Sequence, residues 1–181
     1  MVVFINGAFG IGKTTVARLL AQRLSGSAVF DPEPAGLALR RLALLFPLRE
    51  RTDDFQDLAS WRRTSIRAIG FALRVRKTVI VPMAFSNLSY LGEFLEHFRD
   101  RGVPTLHFCL TAPYDVILDR LRARERQRGP TQWMLRRSAE CCEAHNAPEF
   151  AEHIPTADRL ALGVASEIAE RIHRDHSTGS S

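Results

Sequence analysis

Near the N-terminus the residues Gly7-Ala8-Phe9-Gly10-Ile11-Gly12-Lys13-Thr14 have the spacing of a loop that wraps a phosphate. Glycine is required in such a loop because successive backbone N–H groups must approach the anion closely, and side chains would hold them away. Lys13 adds a mobile positive charge for the β and γ phosphates, and the Thr14 hydroxyl is a ligand for Mg²⁺. Thr15 extends the nucleotide contacts into the following helix. The chemistry expected of the segment is binding of ATP with Mg²⁺ through a Walker A P-loop.

Two carboxylates follow. Asp31 comes directly after the apolar run Ala28-Val29-Phe30, where it suits a base that takes the proton of a substrate hydroxyl as that oxygen attacks the γ-phosphate. It is also a second candidate for the metal. Glu33, set between Pro32 and Pro34, sits in a stiffened loop and is assigned to the substrate. An aspartate before proline also forms ordinary turns, which is the competing reading of Asp31. Farther along, Arg120, Arg124 and Arg128 share one helical face, and Arg122 and Arg126 another. Arginines on a closing segment can stabilise a transferring phosphoryl group, with Gly129-Pro130 as the hinge. A solvated basic helix paired with Asp115, Asp119 and Glu125 is the alternative.

The third apolar run ends in Val81-Pro82-Met83-Ala84, with no aspartate in the Walker B position. Without that acid, and with no residue placed to orient water, a mechanical ATPase or a switch GTPase is disfavoured, whereas a small-molecule kinase tolerates the absence. For the acceptor, Phe55, Trp61 and Phe85 can stack on a planar ring, Gln56, Asp57 and Arg62 can bond to it, and Met83 can line the pocket. Each of these also suits a core or surface role.

Positioning these groups requires strands that end on a common rim. Val2-Val3-Phe4-Ile5, Ala28-Val29-Phe30, Thr78-Val79-Ile80-Val81 and Thr105 to Leu110 read as buried strands, with a weak fifth at His153 to Thr156. Helical spacing predicts helices over 13–24, 36–46, 53–75, 88–101, 114–128, 132–144 and 164–173. Thr52 is the expected N-cap of the third, and Pro82 is expected to stop the third strand. Strands alternating with helices imply a doubly wound α/β fold around a parallel sheet, with ligands beyond the carboxyl ends of the strands. One domain is expected over 1–175, followed by a disordered polar tail over 176–181.

The 181 residues, 45% hydrophobic and 25% charged, suit one domain with a real core. No run approaches a membrane span, and the opening residues lead straight into the glycine loop rather than a signal peptide, so a cytoplasmic location is expected. Cys109, Cys141 and Cys142 suit neither a disulfide framework nor a spaced metal site. The net charge of +5 raises the question of nucleic acid. Only Lys13 and Lys77 are lysines, and aromatic residues do not alternate with the arginines as a stacking platform would need, so no nucleic-acid partner is expected. The apolar stretch 37–46 with the basic surface raises a peripheral membrane contact as a less favoured reading. Oligomeric state is left open.

Taken together, the segments Phe4 to Thr14, Phe30-Asp31-Pro32-Glu33, Val81-Pro82-Met83 and the arginine run after Leu118 resemble the P-loop kinase superfamily and, more narrowly, the tunicamycin resistance protein family. The resemblance spans most of the chain. It implies a five-stranded sheet in the order 2-3-1-4-5, a short arginine-rich lid, Arg120 stacked on adenine and Arg124 reaching the phosphates. It also implies a nucleoside antibiotic bearing sugars and an acyl chain, with the helix at 36–46 as a contact surface. The expected activity is phosphotransfer from ATP to a hydroxyl of tunicamycin or a similar nucleoside, with Lys13, Asp31 and Arg124 as catalytic residues. The alternative is an ATP-binding protein that sequesters the drug without modifying it.

Overall fold

The structure is a computed structural model that describes residues 1–34, 36, 54–124 and 129–178. Five strands form one parallel sheet: β1 (Val2–Asn6), β2 (Ser27–Val29), β3 (Thr78–Met83), β4 (Thr105–Thr111) and β5 (His153–Pro155). Their order across the sheet is β2-β3-β1-β4-β5, which is the order the family resemblance implies. The β-branched and aromatic side chains of β1 are buried on both faces, as a central strand covered by helices requires. Phe4 meets Phe94 and Phe98 at ring-centroid distances of 6.1 and 6.3 Å, and each such side chain contributes roughly 1.5–3 kcal/mol by leaving water.

Six helices are described: α1 (Lys13–Ala21), α2 (Ala59–Ala72), α3 (Leu88–Arg99), α4 (Tyr114–Arg124), α5 (Gln132–Ala144) and α6 (Ala161–Thr178). Parallel pairing sends every connection back across the sheet, so the loops after β1, β3 and β4 share the carboxyl-end rim. Asn87 and Thr131 cap α3 and α5 by accepting from the Ser89 and Met134 amides.

Several boundaries differ from those read in the sequence. The helix expected over 53–75 is split: Phe55–Asp57 is a 3-10 turn capped by Asp54, Leu58 is extended, and α2 begins only at Ala59. The aspartate side chain competes for the Gln56 amide and nucleates a turn instead of a continuous helix. Pro82 does not stop β3, because Ile80 O, two residues earlier on the same edge, already accepts from Phe30 N. The missing proline N–H therefore faces the side where β2 has ended, while Pro82 remains in register with Ile5 on β1. The last helix runs from Ala161 to Thr178 and takes in residues expected in the tail, since an established helix adds one hydrogen bond per residue. Residues 37–46 of the helix expected over 36–46, with its use as an acyl-chain contact, the Thr52 cap and the segment 125–128 lie outside the described residues.

Candidate functional site

The turn from β1 into α1 has the backbone a phosphate loop requires. Gly10 and Gly12 sit at φ of 87° and 108°, a region that side chains avoid. A Cβ on Gly10 would also lie 2.6 Å from the Leu121 side chain, whereas one on Gly12 would meet nothing within 4 Å. Gly10 is thus fixed by conformation and packing, and Gly12 by conformation alone, on the open side of the loop. Gly12 directly precedes the first turn of α1, whose free N–H groups and helix dipole favour an anion. Ala8, Phe9 and Ile11 are buried and anchor the loop to the core.

Lys13 is only 6% exposed. Its Nζ donates to Ala8 O at 3.2 Å, lies 5.0 Å from the Phe9 ring centre and is 4.0 Å from Glu33 Oε1. Thr14 Oγ1 donates to Asp31 Oδ2 at 3.4 Å, while Asp31 Oδ1 accepts from the Glu33 amide at 3.1 Å. The two carboxylates therefore divide: Asp31 faces the Thr14 hydroxyl, and Glu33 faces Lys13. A hydroxyl and a carboxylate side by side at the start of α1 are the hard oxygen donors that suit Mg²⁺, directly or through water. Glu33 is buried and its Oε1 has no hydrogen-bond partner among the described residues. Burial pushes its carboxyl up to about 7, against the opposing pull of Lys13.

Arg120 does not lie free on a basic surface. Its guanidinium donates to Ile11 O, Thr156 Oγ1, Thr156 O and Ala157 O at 3.3, 3.2, 2.6 and 3.1 Å. This fixes the planar group beside a cavity of about 280 Å³ whose lining includes Gly12, Thr15, Val16, Leu160 and Val164. The Thr156–Leu160 segment was missed in the sequence; it follows β5, a strand too short and polar to announce that its carboxyl end joins the rim. Arg124 is exposed in the last turn of α4, and Arg122 pairs with Asp119 at 3.7 Å. That pair follows the solvated-helix alternative.

The residues suggested for an acceptor mostly hold one another. Phe55, Trp61, Met83 and Phe85 are buried, with Phe55 edge-on to Trp61 at 4.8 Å. Arg62 donates to Glu93 and to Gln56 O and lies 4.1 Å from the Tyr90 ring centre, whose hydroxyl donates to Asp57 at 3.1 Å. Gln56 Nε2 donates to Ala84 O at 3.1 Å. They form a packed wall beside the P-loop rather than a set of free polar groups.

That wall is tied to the P-loop by α5, a helix that carries no recognisable motif in the sequence. Trp133 lies between Phe9 and Phe55 at 5.2 and 6.3 Å. Arg137 is buried, pairs with Asp54 at 2.8 Å and with Glu140, and donates to Ser86 Oγ at 3.0 Å. Ser138 donates to Phe9 O, and the Cys141 thiol approaches Ala84 O. His145 Nε2 lies 2.7 Å from Phe85 O, which makes that nitrogen the protonated one. Asn6 clamps the same residue, accepting from Phe85 N at 2.9 Å and donating to Phe85 O at 3.1 Å. The available signal was an arginine on an apolar helical stripe, Trp133, Arg137 and Cys141 at four-residue steps. Burial pushes the Cys109 and Cys141 thiols up to about 12, so both are inert packing groups.

An AAA domain model matches residues 2–144, which takes in the P-loop, both carboxylates and the whole of α5. The tunicamycin resistance protein of Deinococcus radiodurans shares 33% identity over 94% of each chain, with a TM-score of 0.72. The chain belongs to the tunicamycin resistance protein family. A gluconokinase from Sinorhizobium meliloti (19% identity, 96% of this chain and 95% of that one, TM-score 0.61) shares the fold of this family member. So does shikimate kinase from Acinetobacter baumannii, solved with shikimate (17% identity, 96% and 93% coverage, TM-score 0.64). No curated protein matches in sequence. The P-loop kinase-like fold and the nucleotide binding that goes with the family are thereby established at the level of the family.

Proposed function

We propose that this family member is an ATP-dependent kinase that transfers the γ-phosphoryl group to a hydroxyl of tunicamycin or a similar nucleoside antibiotic. The observation that carries the reading is the meeting of Lys13, Thr14, Asp31 and Glu33 on one rim, two carboxylates against the two side chains of a phosphate loop. The P-loop amides and Lys13 hold the triphosphate, Arg120 faces the nucleobase, and Thr14, with Asp31 beside it, would hold Mg²⁺. The metal would neutralise phosphate charge during transfer. The acceptor oxygen attacks Pγ, the bond from Pγ to the bridging oxygen breaks, ADP leaves, and the hydroxyl proton passes to Asp31. Glu33 orients the acceptor, and Arg124 closes on the transferring group. Phe55, Trp61, Met83 and Phe85 back the acceptor side.

The test is mass spectrometry of tunicamycin incubated with the protein and MgATP. The reading predicts a mass gain of one phosphate that needs ATP and is lost in Asp31→Ala. Tight drug binding with no modified product would instead establish sequestration.

A further inference from the structure

At the pole opposite the P-loop, where α2 leads into β3 and α3 leads into β4, the two helices enclose an open groove of about 500 Å³. Its floor is apolar, with Ile66 and Phe98 buried, and its rim is cationic, with Arg67, Arg74 and Arg101. Arg101 donates to His97 O. None of the three arginines has a carboxylate partner among the described residues; the acids acting on His97 are Asp100, which is exposed, and Glu93, which is paired with Arg62. No acidic residue occurs from Leu58 to Lys77, while Arg63, Arg67, Arg74, Arg76 and Lys77 are all exposed there. Phe71 and Val75 project from this cationic field at 66% and 70% exposure, among the most exposed large apolar side chains of the described residues.

Apolar side chains standing out of a ring of unpaired arginines match one kind of surface: anionic headgroups over hydrocarbon. A second copy of the chain would set like charges against each other. Nucleic acid would satisfy the arginines and leave the apolar floor and Val75 without a role. We propose that this face docks the protein peripherally on an anionic lipid bilayer, with Phe71 and Val75 entering the headgroup layer and Arg67, Arg74 and Arg101 pairing with lipid phosphates. No helix among the described residues is long and apolar enough to cross a membrane, so the contact is interfacial. The docking leaves the carboxyl-end rim, with the P-loop, facing away from the lipid. It stands apart from phosphoryl transfer and survives if that reading fails.

The test is sedimentation of the full chain with phosphatidylcholine vesicles, with and without phosphatidylglycerol, across a salt series. Binding is expected on the anionic vesicles alone and to weaken as salt rises. Arg67→Glu with Arg74→Glu should lower the partition coefficient at least about twenty-fivefold, at roughly fivefold per arginine. Phe71→Ser with Val75→Ser should lower it about tenfold, and Arg122→Glu, exposed on α4, should leave it near wild type. Unchanged thermal midpoints verify the folds, and the wild-type salt series reads the docking without any substitution. Equal binding to neutral vesicles, no binding to either, or an equal loss in Arg122→Glu overturns the proposal. So does an oligonucleotide that binds through the same arginines while vesicles do not.

Discussion

The two halves of the rim are built by different means. On the nucleotide side the backbone does the work: left-handed glycines, the first turn of α1, and one lysine within reach of the loop. On the other side, where the acceptor is proposed to sit, a wall is assembled from side chains of segments far apart in sequence, with Asp54, Gln56, Ser86 and Arg137 bonded to one another or to the intervening backbone. A site made of backbone geometry tolerates few residue types and leaves a short local pattern. A site made of cross-linked side chains is distributed, and a change in it is felt first as lost stability. Substitutions on the nucleotide side should therefore remove activity while sparing the fold, and those on the acceptor side should weaken the fold.

The contrast is sharpest in Lys13→Met. Removing a charge aimed at the transferring phosphoryl group should lower turnover by about a thousandfold, with the urea midpoint nearly unchanged. A large loss of stability would mean that the nucleotide side is not the independent unit described here. Arg137→Met is the converse. It strands the buried Asp54 carboxylate and should cost about 3–5 kcal/mol in denaturant unfolding, with Asp54→Asn in the same background recovering part of it. An Arg137→Met protein as stable as wild type would contradict the wall.

Acid should separate the two sides further. Burial holds His107 and His145 neutral and pushes both down from 6.5 to about 4. Below about pH 6.5 the unfolded chain binds protons that the folded chain refuses, so stability falls as pH drops toward 4. Glu33 has the opposite sign: pushed up from 4.5 to about 7, it is protonated when folded and ionised when unfolded between those values, and it favours the fold as pH falls. Two histidines against one glutamate leave a net loss of about 3 kcal/mol between neutral pH and pH 4. Glu33→Gln should steepen the fall, as read by urea midpoints across pH. The smallest effect is expected at Tyr90→Phe, where an exposed bond to Asp57 is lost while the ring stays under Arg62, at a cost below about 1 kcal/mol.

The same division explains what the sequence disclosed. The glycine loop and the parallel sheet follow from residue types that few other structures accept and are found as read, and the strand order is the one the family resemblance implied. Pro82 misled because a proline is excluded from a strand only where its missing N–H would face a partner, and the end of β2 removes that partner. Phe55, Trp61 and Phe85 are aromatic residues of a kind that serves a ligand or a core equally well, and only packing decides between them. The role of α5 was hidden because Arg137, Ser138 and His145 find their partners from 51 to 129 residues away, a distance at which spacing carries no information. Spacing put Arg120 on a charged face and the family resemblance put it on adenine, but neither disclosed the carbonyls of Thr156 and Ala157 that orient it.

Nucleotide binding and phosphoryl transfer both require polyphosphate to enter the turn between β1 and α1. Calorimetric titration of MgATP into the folded chain, repeated with Lys13→Met, addresses it most directly. The account predicts heat and a saturable one-to-one isotherm for the unsubstituted protein, and an isotherm weakened by at least about tenfold in the variant. A folded protein that gives no heat with ATP or ADP, or an affinity indifferent to Lys13, would contradict it.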